Sequence, residues 1–230
     1  MTLPAAQPLP APDLLGRLGD LIVLGGPAMW AIAALSVACL SLILWKAMRL
    51  LSQGAWSGGR HTARALGLWR AGQTAEALAV LERRRSLRAI LARKAMQAVL
   101  DPALDREAAE AETSRVARAL LADAAWGLRG LELAASTGPL LGLLGTVTGM
   151  ITAFQSLQAA GAAADTATLA GGIWEALLTT AAGMAVAIPA QIALTWFESV
   201  VDRLRHDMED AGTLILHGAR PSPGFRQAAE

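Results

Sequence analysis

The sequence predicts an all-α, polytopic membrane protein with three transmembrane helices and a cytoplasmic helical region. Apolar residues make up 54% of the 230-residue chain and charged residues only 17%, whereas soluble domains carry about 25% charged residues. Three long segments lack charge almost completely, and the segment between the first two is densely charged. No stretch shows the alternating apolar and polar pattern that is typical of a half-buried strand.

The first span is predicted at residues 21–45. No charged residue occurs from Leu21 to Trp45, and about 20 apolar residues allow a helix to cross about 30 Å of hydrocarbon. A cleaved signal peptide is the alternative, but Met1–Pro12 contains no Lys or Arg and the apolar run is longer than such a peptide needs. Residues 1–20 are rich in Pro and Ala near their start, which favours a disordered N-terminal tail.

Two further uncharged segments predict the second and third spans, at residues 133–164 and 176–197. Residues 165–175 form a short connection rich in Ala and Gly. Because this connection is short, the two spans must be antiparallel neighbours. Residues 198–230 are expected to form a cytoplasmic C-terminal helix and tail.

The distribution of Lys and Arg predicts the orientation of the spans, because these residues accumulate in cytoplasmic loops. Fifteen of the twenty lie between Lys46 and Arg129. The N-terminal tail and the connection between the second and third spans contain only Arg17. The N-terminus is therefore predicted to lie outside, and region 46–132 and the C-terminus in the cytoplasm.

The cytoplasmic region is expected to form helices over about 62–72 and 74–100. A third helix is predicted to begin at Asp101, an N-cap residue followed by a proline, and to run through Trp126. A cluster of basic residues could contact anionic lipid or a partner, and a solvated cytoplasmic face is the alternative. The cluster comprises Arg83, Arg84, Arg85, Arg88, Arg93 and Lys94.

The second span carries a stripe of glycines. Its members are Gly138, Gly142, Gly145 and Gly149. At about 100° per residue they fall within about 60° of one another around the helix. Such a stripe lets another helix approach closely, since lipid provides no hydrophobic drive for association. Helix packing explains the glycines without a catalytic role, and Gly183 and Pro189 are predicted to serve the packing of the third span.

Polar residues within the spans are the candidates for chemistry. Glu175 stands at the start of the third span, Thr179 and Thr180 follow one turn later, and Thr146 lies in the second span. A carboxylate at the edge of a span is costly unless it faces water, a partner or a pore, so it is a functional candidate. The alternative is an interfacial Glu that is exposed to water. One threonine alone would be uninformative, because its hydroxyl can bond to a carbonyl of its own helix.

Two motifs in these spans resemble the paired signatures of the MotA/TolQ/ExbB proton-channel family. They are LGLLGTVTGMITAF at residues 141–154 and GGIWEALLTTAAGMAVAIPA at residues 171–190. The resemblance is position-specific over residues 137–198. Three spans and an outer N-terminus fit the ExbB/TolQ branch, whereas the MotA branch has four spans. The resemblance thus implies a multi-pass protein of the bacterial inner membrane with a periplasmic N-terminus.

The resemblance also implies a homopentamer whose second and third spans line a pore. That pore would hold a smaller, ExbD- or TolR-like single-span subunit with a proton-carrying Asp, and the complex would act on a TonB- or TolA-like protein. Glu175, Thr146 and Thr180 match the polar pore positions of the family, whereas Thr179 stands where many relatives have Ala. Around the helix, Thr179 lies about 40° and Thr180 about 140° from Glu175, so one narrow line cannot contain all three.

The function that the resemblance implies is to couple the proton-motive force to TonB-dependent outer-membrane transport. The Gly-Gly-Ile-Trp sequence before Glu175 and the Pro-rich N-terminus favour this ExbB-like role. A TolQ-like role in envelope integrity is the first alternative, and a passive membrane scaffold is the second. Sodium is the alternative ion.

Other functional classes are disfavoured. A net charge of +1 does not suggest nucleic-acid binding. The chain has no GKS or GKT phosphate loop, and neither a nucleotide nor another cofactor is expected. All three histidines lie outside the predicted spans and Cys39 is the single cysteine, so we expect neither a metal site nor an intramembrane enzyme.

Overall fold

The computed structural model describes residues 26–54, 59–161 and 165–218. Within these ranges the chain consists of helices and turns and contains no strand, which confirms the predicted all-α class. The predicted N-terminal tail at residues 1–20 lies outside the described residues, as do the first few residues of the predicted first span and the end of the C-terminal tail.

Seven helices follow one another along the described residues. They are α1 (Gly26–Ser52), α2 (Gly59–Arg70), α3 (Thr74–Glu82), α4 (Leu87–Leu100), α5 (Arg106–Ala125), α6 (Leu128–Ala160) and α7 (Thr166–Gly218).

Three segments of the described chain are long and apolar enough to cross a membrane, as the sequence predicts. They are Gly26–Ser52, Arg106–Ala160 and Thr166–Gly218. The second of them contains a turn at Trp126 and Gly127, where α5 ends and α6 begins. Gly127 has a φ of 88°, a left-handed conformation that a glycine adopts without steric cost. The prediction that the cytoplasmic helix runs unbroken through Trp126 is therefore wrong.

Of the described residues, one compact unit contains 26–41, 130–161 and 165–192. In it, α6 and α7 pack as antiparallel neighbours through small residues. A Cβ at Gly138 would lie 2.9 Å from the carbonyl oxygen of Gly183, and one at Gly149 would lie 3.0 Å from the Cβ of Ala176. This close approach of two backbones is what small residues permit in membrane helices.

Of the described residues, the second unit contains 42–54, 59–129 and 193–218, and it has two buried apolar clusters. In the first, α2, α3 and α4 pack around Ile215 near the end of α7, and the indole N–H of Trp69 donates to the Ile215 carbonyl at 3.2 Å. The second cluster joins α4 and the last turn of α5 to a more N-terminal part of α7. Its buried members are Leu87, Leu91, Ala124, Val201, Leu204 and Met208.

The predicted helix over residues 74–100 is in fact two helices. Helix α3 ends at Glu82 and α4 begins at Leu87, with Ser86 extended at φ −67° and ψ 141°. Leu81 belongs to the cluster around Ile215, whereas Leu87 belongs to the other cluster. Burial of both leucines explains the break, because tertiary packing overrides helix propensity.

The predicted helix start at Asp101 is also wrong. Helix α5 begins at Arg106, and the Oδ1 atom of its N-cap Asp105 accepts a hydrogen bond from the Ala108 N–H at 2.7 Å. Asp101 instead closes a turn, in which its Oδ1 accepts from the Ala103 N–H at 2.9 Å. Asp suits both tasks because its short side chain can bond to backbone N–H groups in caps and in turns.

The residues of the predicted connection at 165–175 are largely helical in the structure. Helix α7 begins at Thr166, directly after Asp165, whose Oδ1 accepts from the Ala167 N–H at 2.9 Å. The Ala-rich sequence that follows is a good helix former. Glu175 consequently lies more than two turns inside a continuous helix.

Candidate ion pathway in the second and third spans

The backbone carbonyl of Gly142 in α6 lies within hydrogen-bonding distance of two hydroxyls of α7. The Thr180 hydroxyl donates to it at 3.0 Å. The Thr179 hydroxyl lies 3.3 Å from the same oxygen and 2.7 Å from the Ala176 carbonyl of its own helix. Since a hydroxyl has one proton, Thr179 can donate to only one of the two carbonyls at a time. Both helices are thus joined at one backbone oxygen.

This arrangement depends on the absence of side chains on α6. A Cβ at Gly142 would lie 2.9 Å from the Cα of Thr180. A Cβ at Gly145 would collide with the Thr179 side chain, 2.7 Å from its Cβ, and would lie 3.2 Å from the Cβ of Ala28 in α1. The glycines therefore bring the backbone of α6 within hydrogen-bonding distance of the two hydroxyls.

Thr179 is the more buried of the two hydroxyl residues, with only 2% of its surface exposed. Thr180 is half-buried. The sequence assigned Thr179 an uncertain role, and its place against Gly145 identifies it as part of the helix contact. The two threonines therefore differ in exposure, although their hydroxyls lie near the same carbonyl oxygen.

Glu175 is half-buried and lies next to Ala176, which packs against Gly149. Within the described ranges its carboxylate makes no hydrogen bond and no ion pair. A carboxylate in an apolar helix without an internal partner must be satisfied by water or by a partner subunit.

Thr146 makes a different contact from the threonines of α7. Its hydroxyl donates to the Leu143 carbonyl of its own helix at 2.7 Å. The side chain lines an open groove on α6 together with Met150, Phe154 and Gln155. In the part of the chain that the structure describes, Thr146 makes no polar contact with Glu175 or Thr180.

The structure thus brings Thr179 and Thr180 together at Gly142 and leaves Thr146 and Glu175 apart from them. The small residues occupy the contact between α6 and α7, in which a Cβ at Gly183 would lie 3.1 Å from the Gly142 Cα. Pro189 lies inside α7, which continues beyond it to Gly218.

One contact residue was missed by the sequence reasoning. A Cβ at Gly172 would lie 2.6 Å from the Cβ of Ala153, so this glycine extends the contact towards the N-terminal part of α7. The residues at 172, 176, 179 and 183 repeat the spacing of the stripe at 138, 142, 145 and 149. That shared spacing is the signal that would have identified Gly172.

The sequence profile of the MotA/TolQ/ExbB proton channel family matches residues 82–210. This match covers more than half of the 230-residue chain and includes every residue of the candidate pathway. The chain belongs to the MotA/TolQ/ExbB proton channel family. The resemblance inferred from the two motifs is confirmed, and together with the three apolar segments it makes this family member a multi-pass protein of the inner membrane.

Curated relatives of this MotA/TolQ/ExbB family chain carry both ExbB and TolQ names. The biopolymer transport protein exbB1 of Vibrio cholerae is 40% identical over 86 residues, which are 36% of this chain and 38% of the relative. A putative ExbB-like protein of Synechocystis is 43% identical over 105 residues, which are 43% of this chain and 40% of the relative. The Tol-Pal system protein TolQ of Pseudomonas aeruginosa is 40% identical over 90 residues, covering 38% of both chains. The chain thus spans about two fifths of the length of these relatives.

Proposed function

We propose that this protein is the multi-pass subunit of an ExbB-like proton channel that couples the proton-motive force to TonB-dependent outer-membrane transport. The observation that supports it best is the half-buried carboxylate of Glu175, which has no ion-pair partner among the described residues. It lies one turn before two hydroxyls that reach the neighbouring helix. A passive scaffold requires only the small-residue contact and gives no reason for an unpaired carboxylate.

The proposed role of each side chain follows from its environment. Glu175 helps to attract protons or to hand them on, since its carboxylate has no ion-pair partner among the described residues and is free to face a partner subunit. Thr180, half-buried and bonded to the Gly142 carbonyl, provides a hydroxyl beside the path. Thr146 provides a second hydroxyl on the open groove of α6. Thr179 holds α6 and α7 together.

The energy source is the ion gradient, and the protein acts as a channel subunit rather than as an enzyme. One elementary charge that moves through 100 mV releases about 2.3 kcal/mol. We propose that several copies, a pentamer in the pattern of the family, surround a smaller ExbD- or TolR-like subunit that supplies a proton-carrying Asp. Proton passage between the two subunits then drives their relative movement, which a TonB- or TolA-like protein transmits.

A TolQ-like role in envelope integrity is the second candidate. The similarity to TolQ of Pseudomonas aeruginosa favours it, at 40% identity over 90 residues. The ExbB name is the more frequent one among the curated relatives, for example in Vibrio cholerae and Xanthomonas campestris, and supports the first candidate.

Deletion of the gene in the native bacterium tests both candidates. The ExbB-like role predicts lost growth on a nutrient that must be transported across the outer membrane, with detergent resistance unchanged. The TolQ-like role predicts the opposite pattern, and an intact strain in both assays would contradict both proposals. A protonophore that abolishes the activity at constant sodium concentration identifies the proton as the ion.

A further inference from the structure

The linker between α3 and α4 carries three consecutive arginines, Arg83, Arg84 and Arg85, and all three are exposed. Within the described residues none of them forms an ion pair, because the observed pairs are Arg49–Asp123, Arg88–Asp207 and Arg115–Glu112. The neighbouring Glu82 accepts a bond through its backbone carbonyl, from Arg93 at 2.9 Å. The linker therefore presents three positive charges that the described chain does not neutralise.

The linker lies at the membrane-proximal end of its compact unit. Leu87, two residues after Arg85, belongs to the buried cluster that contains Ala124 and Val201. Val201 follows Phe197, the last residue of the third uncharged segment, by four residues. Leu204 and Met208 of the same cluster, and Asp207, which pairs with Arg88, lie further along α7. At 1.5 Å per residue the cluster extends from about 6 to about 17 Å beyond Phe197 along the helix.

The direction of α4 supports the same placement. The later residues Ala92, Ala95 and Met96 pack in the cluster around Ile215, near the far end of α7. Helix α4 therefore runs away from Phe197 as its residue numbers increase. Its N-terminal end, with the arginine linker before it, is the end nearer to Phe197 within this unit.

Three exposed tryptophans mark the level of the membrane–water interface in the same unit. Trp45, Trp126 and Trp196 are 40%, 60% and 49% exposed, and the rings of Trp45 and Trp126 pack edge to face with centroids 4.9 Å apart. Tryptophan is enriched at the headgroup level of membrane proteins. The headgroup layer extends about 5–8 Å beyond the hydrocarbon on each side, so extended arginine side chains in the linker can reach it.

We propose that Arg83, Arg84 and Arg85 form a docking surface for the phosphate groups of anionic lipids in the cytoplasmic leaflet. The planar guanidinium group donates two parallel hydrogen bonds to phosphate oxygens, and basic residues beside a span are attracted by the negative surface potential of that leaflet. The inference depends on the predicted cytoplasmic location of region 46–132 and is independent of ion passage through the spans.

Native mass spectrometry of the purified full-length protein tests the proposal. The protein is titrated with equal concentrations of phosphatidylglycerol and phosphatidylcholine, and retention of each lipid is measured. We expect at least about a fivefold preference for phosphatidylglycerol, which inorganic phosphate at the same concentration does not displace. The triple variant Arg83→Gln, Arg84→Gln, Arg85→Gln should lose this preference, and the corresponding triple Arg→Lys variant should keep most of it.

The matched control removes three exposed positive charges far from the predicted interface. Arg64, Arg70 and Arg106 serve this purpose. The first two lie beside Ala65 and Trp69 of the cluster around Ile215, and Arg106 begins α5 at the end opposite to Ala124. Their triple Gln variant should retain the lipid preference. Unchanged phosphatidylglycerol retention in the linker variant would overturn the proposal, as would an equal loss in the control. If the linker variant keeps its lipid preference but no longer binds an acidic protein partner, the lipid proposal is overturned. The arginine surface is then assigned to that partner.

Discussion

The buried ammonium group of Lys46 donates a hydrogen bond of 2.6 Å to the backbone carbonyl of Trp126, at the turn between α5 and α6. It also donates to the Ala124 carbonyl, and only 1% of Lys46 is exposed. The last carbonyls of a helix lack intrahelical donors, and a cation is favourable at this end of the helix dipole. Lys46 thereby attaches the end of α1 to the end of α5.

Lys46→Met should lower the thermal stability of the protein in detergent, because buried carbonyls lose their donor. A buried polar group without a partner costs about 1–3 kcal/mol. The control is Arg49→Gln, which removes the neighbouring, partly exposed ion pair with Asp123, a kind of pair worth about 0–1 kcal/mol. Equal unfolding temperatures for the two variants would show that the Lys46 contacts do not stabilise the fold.

Gly145→Leu should disrupt the contact between α6 and α7. The new side chain would collide with Thr179, and overpacking costs about 1–3 kcal/mol or more. Because the stripe packs against a helix of the same chain, we expect a lower unfolding temperature of the subunit, and loss of the oligomer as its consequence. Gly171→Leu is the matched control, since a Cβ at Gly171 meets nothing within 4 Å. A Gly145→Leu protein as stable as that control would contradict the assigned contact.

The two threonines of α7 should have separable roles. Thr179→Val keeps the volume of a side chain that is 2% exposed but removes its hydrogen bond, so it should lower stability by about 1 kcal/mol. Thr180→Val and Thr146→Val remove half-buried hydroxyls and should impair transduction more than stability. Unfolding temperature and transport-dependent growth are measured for all three. If Thr179→Val and Thr180→Val changed the unfolding temperature and the growth to the same extent, the two threonines would not have separate roles.

Membrane topology can be tested with single cysteines in a Cys39→Ala background. Gly59 and Asp165 are both exposed, and the predicted orientation places them on opposite sides of the membrane. In intact spheroplasts, an impermeant thiol reagent should label Asp165→Cys but should label Gly59→Cys only after permeabilisation. The reverse labelling pattern would show that the orientation is opposite to the predicted one. The arginine linker would then not face the cytoplasmic leaflet.

The sequence predicted the three apolar segments and the small-residue stripe because both depend on properties local to one helix. A long uncharged run exceeds what a buried soluble helix requires, and the angular positions of Gly138 and Gly149 follow from helix geometry alone. Family membership was predictable for a similar reason, since the motifs at residues 141–154 and 171–190 are continuous in sequence.

Other features depend on contacts between segments that are distant in the chain. The break after Glu82 follows from the burial of Leu81 and Leu87 in different clusters, which no local pattern reveals. Helix geometry separates Thr179 from Thr180, yet it does not say which of them faces α6. The contact with Gly145 decides this, because a buried threonine fits only where the opposite helix has no side chain.

Glu175 provides the most direct test of the proposed ion pathway. Glu175→Ala should strongly reduce transport-dependent growth while the stability and the oligomeric state remain unchanged, because the carboxylate forms no hydrogen bond or ion pair within the described chain. Glu175→Gln retains hydrogen bonding without a titratable group, and Glu175→Asp retains the group on a shorter side chain. If proton uptake is the role, Asp should preserve more activity than Gln.

Glu198→Ala is the control for loss of a carboxylate, since Glu198 is an exposed residue just after the third uncharged segment. It should leave growth unchanged. Protein level and oligomer yield are measured in parallel, so that lost activity is not confused with lost assembly. Full activity of Glu175→Ala in both the nutrient-transport and the detergent-resistance assays would show that this carboxylate is an interfacial residue without a role in ion passage. Equal activity of the Asp and Gln variants would instead assign it a hydrogen-bonding role, because the amide of Gln forms hydrogen bonds but has no titratable carboxyl group.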